Sequence, residues 1–256
     1  MIRRLGLLGM LLGGSIWVGA SGMDDDAPLV CYSTVYPPYV LENDGGIAGI
    51  DVDVVRELGR RLDREIDIRL EPWNRLERDL RQGKRDCVFS YFHTPAREAY
   101  ARFTGVPMHV TQYTLFYNPD AFPDAHSLKD FVGRRIGVNR GFRTTPAFSA
   151  AREAGQIEVV EVNEDAQSLS MLALGRIDAV LTNYDVGQYL IQSLKLPHLR
   201  ALKPPLSTTP AYLVLSRDPA LDTLAEKFDW ALFQILKDGT YADIRARYMP
   251  ASGATD

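Results

Sequence analysis

Arg97 stands where a short apolar run ends and a helix is predicted to begin, in the stretch "YFHTPAREAY" (91–100). Thr94 suits a helix N-cap and Pro95 suits the first helical position, so local rules explain the start of the helix. They do not explain the arginine, because a helix N-terminus is partly positive and disfavours a cation unless an anion shares the site. The pattern predicts an anion-binding corner, and a solvated surface arginine is the alternative interpretation.

Residues 1–22 have the layout of a secretory signal peptide. A basic start, "MIRR", precedes the apolar "LGLLGMLLGGSIWVG" and the small residues Ala20, Ser21 and Gly22. The apolar part is too short and too rich in glycine to favour a permanent membrane span. Cys31 does not directly follow small residues, which argues against a lipid anchor. We therefore expect cleavage after Ala20 or Gly22 and an exported, unanchored protein.

Charge and hydropathy exclude several classes of protein. Removing the leader takes away Arg3 and Arg4, which leaves 27 basic and 33 acidic residues, a net charge of −6. An acidic chain is not expected to bind nucleic acid or anionic lipid as its main partner. No later stretch approaches about 18 uninterrupted apolar residues, so no further membrane span is expected. The remaining length suffices for one large domain or two small ones.

Histidines and cysteines do not form a metal-binding pattern. No metal or other cofactor is expected, because the four histidines are isolated along the chain: His93, His109, His126 and His198. Cys31 and Cys87 fall in predicted strands, and an oxidising compartment would allow them to pair. Because thiols in neighbouring parallel strands seldom have disulfide geometry, we favour unpaired cysteines packed in the sheet.

Strand-like and helical patterns alternate along the mature chain, which predicts parallel α/β sheets. Strands "LVCYS", "IDIRL" and "DCVFSYF" are separated by the helical segments "IDVDVVRELGRRLD" and "NRLERDLRQG". A second unit repeats the alternation, and the strand-like segments "YTLFYNPD" and "AYLVLSRDP" bracket it. We therefore expect a chain that leaves one lobe, builds a second and returns.

Two such lobes leave a cleft between them, and ligands of open α/β sheets bind at the C-terminal ends of the strands. Arg97, the loop 140–145 and Asn183 each follow the end of a predicted strand. Three strand-end loops are therefore expected to converge on one small ligand.

Motifs in a fixed order carry a resemblance over residues 29–249. They are "YPPY", "GIDVDVVRELGRRL", a tryptophan before a helix that ends in "QGKRD", then "TPAR", "GRIDAVLTN" and "DGTYADIRARY". The chain resembles the family 3 extracellular solute-binding proteins, the periplasmic receptors of polar amino-acid ABC importers. The resemblance implies a type II periplasmic-binding-protein-like fold, with two open mixed sheets joined by a two-strand hinge that closes around the ligand.

The same resemblance implies the organisation of the chain. Lobe 1 is expected to be discontinuous, comprising residues 28–116 and 212–250, and lobe 2 to comprise residues 117–211. Residues 251–256 are expected to form a tail. One polypeptide supplies both halves of the cleft, so a monomer is expected, with an ABC permease in the membrane as the partner that the resemblance implies.

Ligand-binding positions follow from the matched motifs. In this family the arginine of the "TPAR" motif forms a bidentate ion pair with the ligand carboxylate, and Arg97 occupies that position. Ser90 and Thr94 match positions that donate hydrogen bonds to the carboxylate. The aromatic residues at wall positions are Tyr36, Tyr39 and Trp73, although a core role for the tryptophan is equally open.

Four departures from the family pattern fall at the predicted site. Asn183 replaces the aspartate that usually pairs with the ligand ammonium, and Asp185 is expected to point elsewhere. Phe92 replaces a small residue. The second-lobe loop reads "GFRTT", so its candidate ligand-binding residues are Phe142, Arg143 and Thr144, the first two standing where hydroxyls are common.

These departures leave the ligand class open. Burying an ammonium group without a carboxylate partner costs several kcal/mol, so an amino acid and an anionic or aromatic carboxylate are both retained. The expected function is a periplasmic receptor that captures a small carboxylate-bearing ligand by hinge closure for an ABC importer. The alternatives are a binding partner of a membrane sensor and a cyclohexadienyl-dehydratase-like enzyme, with His93 as the candidate acid because Asn183 cannot donate a proton.

Overall fold

The computed structural model of the protein describes residues 28–140 and 144–249. The expected signal peptide (1–22), the expected tail (251–256), Phe142 and Arg143 lie outside the described residues. No helix in the described ranges combines the length and the apolar character needed to cross a membrane.

Helices and strands follow the predicted alternation. The helices are α1 (Ile50–Arg61), α2 (Trp73–Arg81), α3 (Pro95–Glu98), α4 (Pro146–Glu153), α5 (Asp165–Ala173), α6 (Tyr184–Ser193), α7 (Asp222–Lys237) and α8 (Thr240–Tyr248). Short 3-10 helices cover Leu128–Phe131 and Pro219–Leu221. The strands are β1 (Leu29–Ser33), β2 (Leu41–Asn43), β3 (Gly46–Ala48), β4 (Ile66–Leu70), β5 (Cys87–Phe92), β6 (Ala101–Phe103), β7 (His109–Tyr117), β8 (Arg135–Asn139), β9 (Glu158–Val162), β10 (Ala179–Asn183), β11 (Arg200–Ala201) and β12 (Ser207–Ser216). Sequence analysis does not predict the hairpin β2–β3, because three-residue strands leave no clear periodicity.

Two long strands join the lobes. Among the described residues the main sheet has the order β4-β1-β5-β12-β7-β10-β8-β9, with β6 on β12 and β11 on β7. β7 and β12 pair antiparallel from His109 opposite Ala211 to Tyr113 opposite Ser207. The rest of β12 pairs with β5 and β6, and the rest of β7 pairs with β10 and β11. The predicted two-lobed fold is confirmed, with hydrogen bonding that runs unbroken through the two connecting strands.

Each half of the sheet is covered on both faces. In lobe 1, α1 packs with α7 and α8 on one face, where Leu58 and Phe228 are fully buried. Leu76 and Leu80 of α2 pack against the other face, as their spacing predicted. Covered faces leave the strand ends as the open part of each lobe, which is where polar side chains gather.

The start of α1 is built around the "YPPY" turn. The free amides of Ile50 and Asp51 donate to the carbonyls of Pro38 and Tyr39, at 3.1 and 3.0 Å. Gly49 precedes the helix at φ 126°, and a β-carbon there would collide with the Tyr39 carbonyl. Only glycine allows the turn and the helix to approach this closely.

Cys31 and Cys87 form a disulfide, so the expectation of unpaired thiols is wrong. The two residues face each other directly in the parallel pair β1–β5, with 4.5 Å between their Cα atoms. Both are fully buried. Strand adjacency alone did not predict the bond, because pairing requires this exact opposition within the register, which a sequence does not specify.

We expect the disulfide to stabilise the fold substantially. It closes a loop with a sequence separation of 56, for which the chain-entropy relation gives about 4 kcal/mol. Urea unfolding with and without dithiothreitol measures this contribution, and a Cys31→Ala/Cys87→Ala double variant is the control because it cannot respond to the reductant. An identical wild-type midpoint in both conditions would contradict the bond.

Candidate functional site

Arg97 is held firmly at the end of β5. Its Nε donates to Glu77 Oε1 at 3.1 Å and its Nη1 donates to the Phe92 carbonyl at 2.8 Å. The guanidinium carbon lies 4.4 Å from the ring centroid of Tyr91 and 5.3 Å from that of Trp73. Two hydrogen bonds and two aromatic faces fix the plane of the fork, while 13% of the side chain stays exposed.

Glu77 is the resident counter-ion of this arginine. Burial raises the pKa of Glu77, but the hydrogen bonds from Arg97 and Tyr100 more than offset it, so the pKa lies below its ordinary value. An ionised Glu77 orients Arg97 without covering the whole fork, since it binds through Nε. With Nη1 donating one hydrogen bond to the Phe92 carbonyl, Nη2 and the second N–H of Nη1 have no hydrogen-bond partner among the described residues.

Tyr36 and Tyr39 form a second cluster at the cleft. Their rings stack with centroids 5.6 Å apart, because a tight turn with Tyr36 and Val40 bonded to each other brings them together. Tyr39 is 1% exposed and stacks on His109 at 3.8 Å. Burial is the largest cause of the raised pKa of both tyrosines. The next cause is the neighbouring Tyr113 for Tyr36 and the charge of Asp185 for Tyr39.

A buried polar network lies behind the tyrosines. Asp51 accepts from Ser90 Oγ at 2.6 Å and lies 3.0 Å from His109 Nδ1, while His109 Nε2 lies 3.2 Å from Thr111 Oγ1. Asp51 is fully buried and sits in the first turn of α1, where the helix dipole favours a negative charge. The network ties α1, β5 and β7 together beneath the cleft.

The backbone of β5 is kinked at Ser90. Its φ of 58° lies in the left-handed region, and the pairing of β5 with β12 shifts register beside it. A non-glycine residue in that conformation is strained, and such strain tends to occur at functional sites. Beyond the kink, Tyr91 faces Arg97 while the Ser90 hydroxyl turns to Asp51.

The two lobes touch through α6. Tyr39 donates its hydroxyl to Asp185 Oδ2 at 2.7 Å, and Arg245 Nη2 of α8 donates to Asp185 Oδ1 at 2.6 Å. Asn183 Nδ2 donates to the Tyr36 hydroxyl at 3.0 Å. Since α6 and β10 belong to one half of the sheet and the tyrosines and α8 to the other, these bonds connect the two halves.

Asn183 also caps α6. Its Oδ1 accepts from the amide of Asp185 at 2.8 Å and from that of Val186 at 3.5 Å. The side-chain oxygen is therefore occupied within the chain, and the amide nitrogen is occupied by Tyr36. The departure noted in the sequence has a structural role as a helix cap and a contact between the lobes.

Asp165 begins α5 at the same edge of lobe 2. It follows β9, and Asn139 and Thr182 at the ends of β8 and β10 are its neighbours. Its exposure is 9%, and its buried Oδ1 has no hydrogen-bond partner among the described residues. Burial raises the pKa of Asp165, and the Thr182 and Asn139 side chains only partly offset that effect. Its charge also helps to raise the pKa of Tyr36.

The remaining predicted residues divide into three groups. Thr94 precedes α3 without capping it through its side chain, and Phe92 contributes its carbonyl to Arg97. Thr144 Oγ1 bonds to Ser149 Oγ at 2.7 Å, back onto its own helix. Phe142 and Arg143 lie outside the described residues. Contact of each predicted residue with a ligand stays a prediction.

His93, the candidate acid of the enzyme alternative, lies in another environment. Its Nε2 is 2.6 Å from Glu98 Oε1, and its ring packs edge-on against Phe103 and Tyr212. Phe103 in turn packs against Tyr91 of the arginine corner, with 6.0 Å between their ring centroids. Among the described residues, no hydrogen bond or ring contact joins His93 itself to the tyrosine cluster or to Arg97. No group of potential metal ligands occurs among the described residues.

Sequence reasoning missed several residues of the site: Asp51, Glu77, Tyr91, His109 and Asp165. Sequence analysis places Asp51 only within a predicted helix and treats His109 as an isolated histidine. Asp165 carried a usable signal, since it follows the end of a strand as Asn183 does. The others meet only after folding brings distant segments together.

Comparisons with known proteins bear on the family and the fold of the chain. Residues 29–251 match the sequence model of the bacterial extracellular solute-binding proteins, family 3. The chain is 26% identical over 224 residues to the ABC transporter arginine-binding protein 1 of Escherichia coli (strain K12), covering 85% of this chain and 88% of that protein. It is 23% identical over 212 residues to a probable amino-acid-binding protein of Bacillus subtilis (strain 168), covering 82% and 79%.

Solved structures show the same fold. An ancestral arginine-binding protein bound to arginine superposes with a TM-score of 0.69 at 22% identity, covering 87% of this chain and 97% of that chain. At that identity the likeness supports the two-lobed architecture.

We expect Asp51→Ala to destabilise the protein by about 3 kcal/mol, because it leaves the partly buried Ser90 hydroxyl and the buried His109 ring without their hydrogen-bond partner. Urea unfolding at neutral pH measures the loss. The exposed Asp44→Ala is the matched control and should change stability by less than about 0.5 kcal/mol. Equal midpoints for the two variants would show that the buried network contributes nothing.

We also expect Asp165→Asn to stabilise the ligand-free protein at pH 7. The folded-state pKa of Asp165 is raised, so its ionisation as pH rises through that value weakens the wild-type fold, whereas asparagine does not titrate. The gain in melting temperature should shrink as pH falls and vanish below the unfolded-state pKa, about pH 4. Melting curves across this range test the sign, and a constant difference would contradict it.

Proposed function

The chain belongs to the family 3 bacterial extracellular solute-binding proteins, and we propose that it captures an amino acid or a related small carboxylic acid between its lobes. It is a solute-binding receptor, as the sequence motifs predicted. The observation that carries the ligand class is the arginine corner at the end of β5.

Arg97 supplies the carboxylate anchor. Its fork is oriented by Glu77 and the Phe92 carbonyl and supported by the rings of Trp73 and Tyr91. A planar guanidinium matches a carboxylate in two parallel hydrogen bonds, which strengthen once water is excluded. Trp73 therefore contributes to the proposed site by packing against the Arg97 guanidinium.

Closure of the lobes completes the site. The bonds from Asn183 to Tyr36 and from Tyr39 to Asp185 join the lobes. The strands β7 and β12 are the hinge, and the proposed boundaries remain 28–116 with 212–250 for lobe 1 and 117–211 for lobe 2. Hinge closure around a ligand is a common mode of domain motion.

The ligand is an amino acid or a close relative of one. The relatives from Escherichia coli and Bacillus subtilis are named for binding arginine and amino acids. We propose binding without turnover, since His93, the acid considered for a dehydratase, is paired with Glu98.

The proposed setting is the periplasm. The signal-peptide pattern of residues 1–22 and the buried Cys31–Cys87 disulfide both fit export to an oxidising compartment. The receptor acts as a monomer that delivers its ligand to the permease of an ABC importer.

A thermal-shift screen of the leaderless protein tests the proposal, using the twenty standard L-amino acids and a set of aromatic and dicarboxylic acids. A ligand at 100 times its dissociation constant should stabilise the native state by about 2.7 kcal/mol. Arg97→Ala should abolish the shift, because the carboxylate loses its partner.

Arg75→Ala, an exposed arginine on α2, is the matched control and should retain the shift. An undiminished shift in Arg97→Ala would reject the anchor. No shift with any carboxylate would reject the proposed ligand class.

A further inference from the structure

Carboxylates around the cleft are satisfied within the chain, with one exception among the described residues. Asp51 contacts Ser90 and His109. Asp185 uses both oxygens, one with Tyr39 and the other with Arg245. Glu77 accepts from Arg97. Asp165 differs from these, because its Oδ1 is buried without a hydrogen-bond partner.

Such an oxygen requires an explanation. Buried polar atoms in native proteins are almost always hydrogen-bonded, and an unpaired buried carboxylate oxygen is costly. Asp165 starts α5, where the helix dipole partly stabilises its charge but leaves the oxygen without a donor. The missing donor is accounted for if it arrives with the ligand.

The location suits a cationic group. Asp165 lies at the C-terminal edge of the lobe 2 strands, beside Asn139 and Thr182, and its charge contributes to the raised pKa of Tyr36. Asn183 cannot take this role, because its oxygen caps α6 and its nitrogen is bonded to Tyr36.

We infer that Asp165 is a ligand-binding residue that pairs with a positively charged nitrogen of the ligand. This assignment rests on the proposed function, since it places the cation opposite the carboxylate held by Arg97. Asp165 supplies the negative charge that Asn183 lacks, and it selects for acids with an amino group over simple carboxylates. The nitrogen is either the α-ammonium group or a cationic side-chain group.

The test compares Asp165→Asn with Glu164→Gln. Glu164 is the exposed acid next in sequence, so the control removes the same charge from the same end of α5. L-arginine is the first probe, with L-norvaline carrying only the α-ammonium, 5-guanidinopentanoate carrying only the guanidinium, and pentanoate carrying neither. If the screen identifies another amino acid, that acid and its counterpart without the α-amino group take their places.

Titration calorimetry gives the affinities. Asp165→Asn should weaken the cation-bearing ligand by about 30-fold or more, as expected for a charge-assisted hydrogen bond, while Glu164→Gln should stay within about twofold of wild type. If Asp165→Asn loses affinity for L-norvaline but not for 5-guanidinopentanoate, the partner of Asp165 is the α-ammonium group. If it loses affinity for 5-guanidinopentanoate but not for L-norvaline, the partner is the side-chain group. Circular dichroism confirms folding, and Asp165→Ser is the second variant if asparagine does not fold.

Equal affinity of wild type and Asp165→Asn for a cation-bearing ligand would overturn the assignment and leave the proposed function intact. Binding only of carboxylates without a cationic nitrogen would also overturn it, again without affecting the Arg97 anchor. Absence of binding by any carboxylate would remove both proposals together.

Discussion

The antiparallel pairing of β7 with β12 is the constraint on which the rest of the molecule depends. It places two half-sheets on one hydrogen-bonded framework, with each connecting strand contributing to both. Helices cover both faces of each half, so the strand ends are the surfaces that can meet across the cleft. The arginine corner and the tyrosine pair of one lobe, and Asn183 and Asp165 of the other, are all found at those ends.

Most polar groups at the cleft are hydrogen-bonded to one another, because an unpaired buried charge destabilises the folded state. Glu77 orients Arg97, Asp51 joins Ser90 to His109, and Asp185 connects Tyr39 to Arg245. These pairs fix the arginine, serine and tyrosine side chains and satisfy the acids beside them. The proposed recognition chemistry depends on the groups whose hydrogen-bonding capacity the chain leaves unused.

Family resemblance and structure give different weight to one position. In the family motif, Asn183 replaces the aspartate that usually pairs with the ligand ammonium. In the structure its amide is committed to the cap of α6 and to Tyr36, and the acid with an unused oxygen is Asp165, 18 residues earlier in the chain. A motif reports which position a residue occupies, whereas hydrogen-bond accounting reports what that residue is still able to bind.

The sequence by itself determined the family, the order of strands and helices and the two-lobed fold, and it supplied the position proposed as the ligand anchor, because these follow from periodicity, capping and local motifs. Only the tertiary structure decided that Cys31 and Cys87 face each other, that Glu77 orients Arg97, and that the acids of the cleft differ in their pairing. These facts depend on register and on contacts between residues far apart in sequence. Local patterns carry no information about either, since a shift of one residue in a strand reverses the face on which each side chain lies.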